Sequence, residues 1–283
     1  MQNCKITEKR VLYKDIFLMN VLCPKIAIKR KAGQFIILKI NEQGERIPLT
    51  ITDSDPETGT VTLIFQVVGK TTQQLSSLNT GDAIQDFVGP LGKPTHIENF
   101  GNAVCIGGGI GTAPILPIAK SLKENGNRVL GILGARSREL LILENEMKEL
   151  CNELLITTDD GSYGIKGFVT TALEQLYEKN KQLDVVFAIG PVPMMKATCS
   201  LTKKLNIRTY VSLNSMMVDG TGMCGGCRVT IDGKSKFVCV DGPEFDGHLV
   251  NFDELSNRLA FYRDQEAESH KLFKTNCKLE GAL

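Results

Sequence analysis

A chain of 283 residues is too long for one small hydrophobic core, so two or three domains are expected. Its 33 basic and 32 acidic side chains leave a net charge of +1, which gives no electrostatic reason to expect nucleic acid or an anionic membrane surface as partner. The opening MQNCKITEKR scatters charge, and no run approaches the roughly 18 apolar residues of a membrane helix, so the chain reads as soluble and cytoplasmic without a signal peptide.

From Cys4 to about Pro90 the chain shows short alternating or β-branched runs: VLYKDIFLMNV, GQFIILKI, RIPLTI, TVTLIFQVV and DAIQDFVG. Turn signals such as NEQG and DPETG separate them, the pattern of an antiparallel β-barrel or sandwich. One helical piece, TTQQLSSL at 71–78, interrupts it. Two stretches look chemical. Arg46, Pro48, Leu49 and Thr50 lie along one extended segment, where Arg46 and Thr50 are placed to grip a pyrophosphate, through the guanidinium's bidentate fork, or to hold an aromatic ring edge. Val67 ends a strand that passes through Gly69 into a helix opening with Thr71 and Thr72, so backbone N–H groups and two hydroxyls form an anion site. An exposed strand arginine and an N-cap threonine explain each stretch taken alone.

At Asn102 the texture changes to strands alternating with helices: NAVCIGGG, TAPILPIAKSLKENG, RVLGILGA, SRELLILENEMKEL, NELLITTDD, KGFVTTALEQLYEKN, DVVFAIGP, PMMKATCSLTKKLN and RTYVSLN. Five strands and four helices predict a doubly wound parallel sheet, α/β in class. Ligands bind beyond the carboxyl ends of such strands. One end carries Gly108, Gly109, Ile110, Gly111 and Thr112, where missing Cβ atoms and a helix N-terminus let phosphates approach. The others carry Asp160 with Gly161, and Gly190, Pro191, Met194 and Met195. This is not the G-x-G-x-x-G of the common dehydrogenases, and no acid sits about 20 residues on at a strand end. Arg136 and Arg138, after the second strand, are candidates to meet a 2′-phosphate, so the residues leave NAD against NADP open.

The nine cysteines read as thiols or metal ligands rather than disulfides. Cys4, Cys23, Cys105, Cys151, Cys199 and Cys277 stand singly and read as plain buried thiols. The other three, Cys224, Cys227 and Cys239, fall in VDGTGMCGGCRVTIDGKSKFVC. Plant-type ferredoxins hold a two-iron cluster with C-x4-C-x2-C and a distant fourth cysteine. Asp219 stands about where the first cysteine of that pattern belongs, and a carboxylate is a legal but harder ligand. A zinc site using His248 and a plain D-G turn at Asp219 remain open alternatives. The charged tail from Asp253 to Gly281 is helical in pattern, suited either to docking elsewhere or to packing on its own barrel.

The order of parts resembles the ferredoxin-NADP reductase superfamily, in its branch with the electron-transfer subunit of class B dihydroorotate dehydrogenase. Within that branch it is most similar to the small-subunit family of NADH-dependent reduced ferredoxin:NADP oxidoreductases, also described as sulfide dehydrogenase. Asp219, the run Met216–Cys227 and the segment Asp241–His248 carry that likeness. The resemblance implies an FAD-binding barrel at 1–98, an NAD-binding α/β domain at 99–214, and a [2Fe-2S] segment with a helical tail at 215–283. It implies FAD contacts at Arg46, Pro48, Leu49, Thr50, Val67, Gly69, Thr71 and Thr72. NAD(H) contacts would fall at Gly108 to Thr112, Asp160, Gly161 and the Gly190-to-Met195 loop. The cluster ligands would be Asp219, Cys224, Cys227 and Cys239. It further implies a heterodimer with a larger flavin and iron–sulfur subunit that handles NADP(H) and ferredoxin by electron bifurcation. No side chain is expected to act as general acid or base. A class B dihydroorotate dehydrogenase subunit, or a redox sensor or assembly module without turnover, are the rival expectations.

Overall fold

The computed structural model describes residues 4–279, leaving aside the side chains of 276–279, so the thiol of Cys277 and the tail beyond 279 lie outside what is described. Strands β1 (Cys4–Tyr13) and β2 (Ile16–Leu22) form a hairpin, which splits the run VLYKDIFLMNV at Lys14-Asp15. Helix α1 (Pro24–Lys29), strands β3 (Phe35–Lys39), β4 (Arg46–Asp55) and β5 (Thr60–Gln66), helix α2 (Lys70–Ser77) and strands β6 (Ala83–Ile84) and β7 (Asp86–Leu91) follow. They pair antiparallel in the order β6-β1-β2-β5-β4-β3-β7. Only Gln85 separates β6 from β7, and its N–H reaches the Ile40 carbonyl (3.3 Å), so the two ends of the sheet meet and nearly close it. Met19, Val21, Ile36, Leu38, Val61 and Leu63 fill the interior. Helix α1 corrects the expectation of a single helix in this region. Its six residues are too few to show a helical period, and Pro24 occupies the first turn, where its missing N–H costs nothing.

The second unit runs β8 (Asn102–Gly108), α3 (Thr112–Glu124), β9 (Arg128–Ala135), α4 (Glu144–Leu150), β10 (Glu153–Thr158), β11 (Ile165–Lys166), α5 (Val169–Asn180), β12 (Val185–Ile189), α6 (Val192–Lys204) and β13 (Arg208–Ser212). Strands β8, β9 and β12 are buried on both faces, which is why they read as continuous apolar runs. Helix α3 turns Ala113, Ile115, Ile118, Ala119 and Leu122 inward, the stripe of a 3.6-residue period. The run SRELLILENEMKEL makes a single 3-10 turn at Arg138–Leu140 and is α-helical only from Glu144; just before it, Leu143 takes a left-handed conformation (φ 57°). Tertiary packing overrides propensity there, because Ile142 is buried against Ile16, Leu18 and Ile64 on the outer barrel wall.

The last segment comprises β14 (Arg228–Ile231), β15 (Lys234–Phe237), α7 (Val238–Asp241), β16 (Glu244–Asp246), α8 (Phe252–Ala260) and α9 (Arg263–Leu279). Strand β16 pairs antiparallel with β13, so the sheet order among the described residues is β11-β10-β9-β8-β12-β13-β16. The expected five parallel strands are therefore seven, with short β11 and antiparallel β16 at the two edges. One hydrophobic core joins all three parts. It contains Phe35 and Ile37 of the barrel, Val104, Ile106 and Val186 of the parallel sheet, and Val229, Val238 and Phe245 of the last segment. Helix α9 packs against α2, which places the tail on its own barrel over that stretch. No helix among the described residues is long and apolar enough to cross a membrane.

Candidate cofactor-binding and electron-transfer site

The strand carrying Arg46, Pro48, Leu49 and Thr50 faces Lys39, Ile37, Ile36 and Phe35 across β3. Pro48 to Thr50 are each partly exposed, so this part of β4 forms an uncovered floor rather than sealed core. Arg46 stands at its end with its guanidinium 3.3 Å from the Asp86 carboxylate on β7, which aims the fork without burying it. Val67 is tied back by its N–H to the Asp15 carbonyl (2.8 Å), and Gly69 caps α2 with open space where a Cβ would project.

The two threonine hydroxyls expected beside an anion have other partners. Thr72 Oγ1 accepts the N–H groups of Val68 (2.9 Å) and Gly69 (3.1 Å), and Thr71, buried, donates to Glu45 Oε2 (3.1 Å). They stiffen the loop; the groups left to meet an anion are the first-turn N–H donors of α2, which have no intrahelical acceptor.

In the parallel sheet, β9 and β10 extend to one side of β8 while β12 and β13 extend to the other. The crevice of such a fold opens at that reversal, between the ends of β8 and β12. Gly108 and Gly190 meet there under Met194, whose Cε would lie 2.7 Å from a Cβ on Gly190. A Cβ on Gly111 would strike the Ile189 carbonyl, and one on Gly107 would come within 2.9 Å of the Thr112 backbone. Most of these glycines therefore let two loops of the protein touch; Gly109, with φ +55° and nothing within 4 Å, opens to the outside. Ile110 leans on the barrel wall, Thr112 is buried, and Met195 is core at 1% exposure, so Met195 presents no side chain to a ligand. Pro191 is exposed at the lip.

One strand pair away, Asp160 and Gly161 are exposed beside the end of β9, linked by the Asp160 N–H to the Arg136 carbonyl (3.2 Å). The Ser162 hydroxyl and N–H hold the Asp160 carboxyl below its ordinary value. Arg138 stacks its guanidinium on Tyr163 at 5.0 Å, a contact the sequence did not suggest. Helix α3 packs against β4, which sets this crevice beside the uncovered barrel strand.

The cysteine loop rests on the neighbouring barrel strands β3 and β7: a Cβ on Gly220 would fall 2.7 Å from both Ile37 Cδ1 and Leu91 Cδ1. Cys227 and Cys239 are buried with Sγ atoms 3.2 Å apart, while Cys224 is exposed. Backbone N–H groups point at sulfur, Gly226 to Cys224 Sγ and Cys239 to Cys227 Sγ, each at 3.5 Å. Burial and then the adjacent Cys227 push the Cys239 thiol up to about 12. Asp219 accepts the N–H of Thr221 on one oxygen (2.8 Å) and of Cys224 on the other (2.7 Å), and these bonds, Thr221 first, lower its carboxyl.

Among the described residues no three His, Cys, Asp or Glu side chains converge as a closed set of ligands. His248, the zinc alternative's fourth ligand, is engaged instead by Thr202 Oγ1 (3.0 Å) at the sheet edge.

Sequence reasoning missed Glu244. It sits on β16 with its carboxyl accepting from Thr95 Oγ1 (2.7 Å) beside Gly33, and burial raises its pKa to about 7. The only trace in the sequence is one of three acids inside DGPEFDGH.

Three family models match in chain order: an oxidoreductase FAD-binding domain over residues 3–96, an oxidoreductase NAD-binding domain over 105–200, and the iron-sulfur cluster binding domain of dihydroorotate dehydrogenase B over 214–251. A Thermotoga maritima protein described as a dihydroorotate dehydrogenase B (NAD(+)) electron transfer subunit homolog is 48% identical, covering 95% of each chain. The Fusobacterium nucleatum dihydroorotate dehydrogenase B (NAD(+)) electron transfer subunit is 32% identical over 87% of this chain and 96% of its own. A solved structure reported for flavin-based electron bifurcation by the NADH-dependent reduced ferredoxin-NADP oxidoreductase superposes with a TM-score of 0.91 at 46% identity, over 96% of this chain and 98% of that one.

The chain thus carries FAD-, NAD- and iron–sulfur-binding domains, and its residues fit each group. The open first turn of α2 with Arg46 suits a flavin pyrophosphate, and the Gly108–Met194 crevice suits a dinucleotide. Backbone N–H donors aimed at two of the three loop thiols, Cys224 and Cys227, suit the sulfur-rich surroundings of a two-iron cluster.

Proposed function

Since this chain belongs to the family of dihydroorotate dehydrogenase B electron-transfer subunits and their homologues, we propose that it is the small subunit of a cytoplasmic NADH-dependent reduced ferredoxin:NADP oxidoreductase. Its partner in this reading is a larger flavin and iron–sulfur subunit that handles NADP(H) and ferredoxin. The observation that carries the relay role is the shared core. Ile37 lies on the barrel strand paired with the flavin floor, and the cysteine loop is seated on that same side chain. The likeness over almost the full length to the bifurcating oxidoreductase, with a TM-score of 0.91 at 46% identity, supports the particular complex, while relatives at 48% and 32% carry the dihydroorotate dehydrogenase B subunit description and keep that enzyme as the second reading.

FAD, when bound, supplies exchange between two-electron and one-electron chemistry, with the cluster as a one-electron outlet. The protein's own work is orientation and electrostatics. Arg46, braced by Asp86, and the α2 N–H groups would neutralise the flavin pyrophosphate. Thr71 and Thr72 would hold that helix start rigid. The Gly108–Gly190 contact, capped by Met194, would define one wall for the nicotinamide half, with Asp160 and Gly161 at its margin. Cys224, Cys227 and Cys239 would hold the cluster, with Asp219 as the fourth ligand. No side chain is asked to move a proton.

The test is to isolate the chain with its natural partner and assay the pair anaerobically. Electron exchange among NADH, NADPH and ferredoxin supports the assignment. Dihydroorotate oxidation without it would transfer the chain to the pyrimidine enzyme.

A further inference from the structure

Two cysteines that look solitary in the sequence are brought together on the barrel wall, away from the cysteine loop. In the β1–β2 ladder Lys5 pairs with Leu22, so one residue further out Cys4 faces Cys23 across the strands. Their Sγ atoms are 2.8 Å apart. Cys4 is sealed in, at 4% exposure, between the β2 side and Ile84 of β6. Cys23 is partly exposed, in the turn before α1, with its N–H fixed to the Gly59 carbonyl (2.8 Å).

From this juxtaposition we propose that Cys4 and Cys23 form a peroxide-responsive dithiol, with Cys23 as the sulfur that reacts first and Cys4 as the one that resolves it. The division of labour follows from surroundings. Oxidisable cysteines are accessible, rich in thiolate and set beside a resolving thiol. The hydrogen bond between the two lowers the Cys23 thiol, while that same bond and then burial raise Cys4. Cys23 is thus the nucleophile that solvent can reach.

The chemistry closes with hydrogen peroxide as oxidant. The Cys23 sulfur attacks the O–O bond, giving a sulfenic acid and one water. The Cys4 sulfur then attacks the sulfenic sulfur, an S–S bond forms, and the oxygen leaves as a second water. Peroxide gains two electrons, the thiol pair loses two, and both thiol protons end in water. Closed, the bridge would tie the first strand of the barrel to the turn that opens α1, and a dithiol reductant would reverse it.

Peptide mapping of the full-length protein after brief exposure to hydrogen peroxide tests this without any substitution. The expected product is a cross-linked pair of peptides containing Cys4 and Cys23, lighter by two hydrogen atoms and restored by dithiothreitol. Recovery of both peptides as separate reduced thiols, or of Cys23 over-oxidised without a cross-link, overturns the proposal. In Cys4→Ser the sulfenic acid should persist and be trapped by dimedone on Cys23. A dimedone adduct on Cys4 in Cys23→Ser, at the rate seen for Cys23 in Cys4→Ser, would reverse the assigned order and refute it.

Discussion

Gly220 lies flat on Ile37: a Cβ at this glycine would come within 2.7 Å of the isoleucine Cδ1, on a backbone with φ +73°. The cysteine loop can therefore rest directly on the barrel strand next to the flavin floor. Gly220→Ala forces a side chain into a left-handed residue, at a cost of about 1–2 kcal/mol, and pushes the loop off Ile37 and Leu91. The expected result is a lower melting temperature and reduced iron and sulfide content, with FAD retained. Full iron content with an unchanged melting curve would show that the loop tolerates lift-off.

Gly111→Ala places a Cβ against the Ile189 backbone carbonyl, an atom that cannot swing away as a side chain can. Overpacking of this kind costs about 1–3 kcal/mol, so NADH should bind roughly fivefold or more weakly by titration of the flavin-loaded protein. Gly109, facing open space, gives the contrast: its alanine variant carries only the left-handed backbone strain and should bind more tightly than Gly111→Ala.

Glu244 predicts a pH dependence of stability. Burial raises its pKa from 4.5 to about 7, so between those values the folded chain binds more protons than the unfolded one. Stability from this group is greatest at the acid end and falls as pH rises through that window, by about 3 kcal/mol in all. Glu244→Gln keeps an acceptor for Thr95 and removes the titration. Thermal unfolding followed across the window should show a slope in the parent that flattens in the variant.

At Asp219 the carboxylate already accepts two backbone N–H groups. If one oxygen also ligates iron, Asp219→Cys should keep a two-iron cluster with an altered EPR spectrum and potential, and Asp219→Ala should lose or change it. An alanine variant with both properties untouched would leave the residue only its turn-forming role.

Periodicity made the barrel and the wound sheet legible, and C-x2-C spacing with a later cysteine marked the cluster loop. What stayed hidden depends on contacts between distant parts of the chain. Glu244 acquires meaning only from Thr95 and Gly33, which meet it across three segments. The break before α4 comes from Ile142 docking on the barrel, where local propensity favoured helix. Met195 looked like part of a ligand loop, but its place on α6 turns it into the core. The Cys4–Cys23 approach needs the hairpin register, which no spacing between two isolated cysteines conveys.

Strand β16 has one more consequence. By pairing with β13 it covers what would otherwise be a bare sheet margin at Tyr210 to Ser212. Unpaired margins recruit other chains and aggregate. The nucleotide-binding portion is therefore not a detachable module. A truncation before β16 exposes an adhesive strand, and a chimera that exchanges iron–sulfur segments must import a replacement for Glu244–Asp246 in matching register.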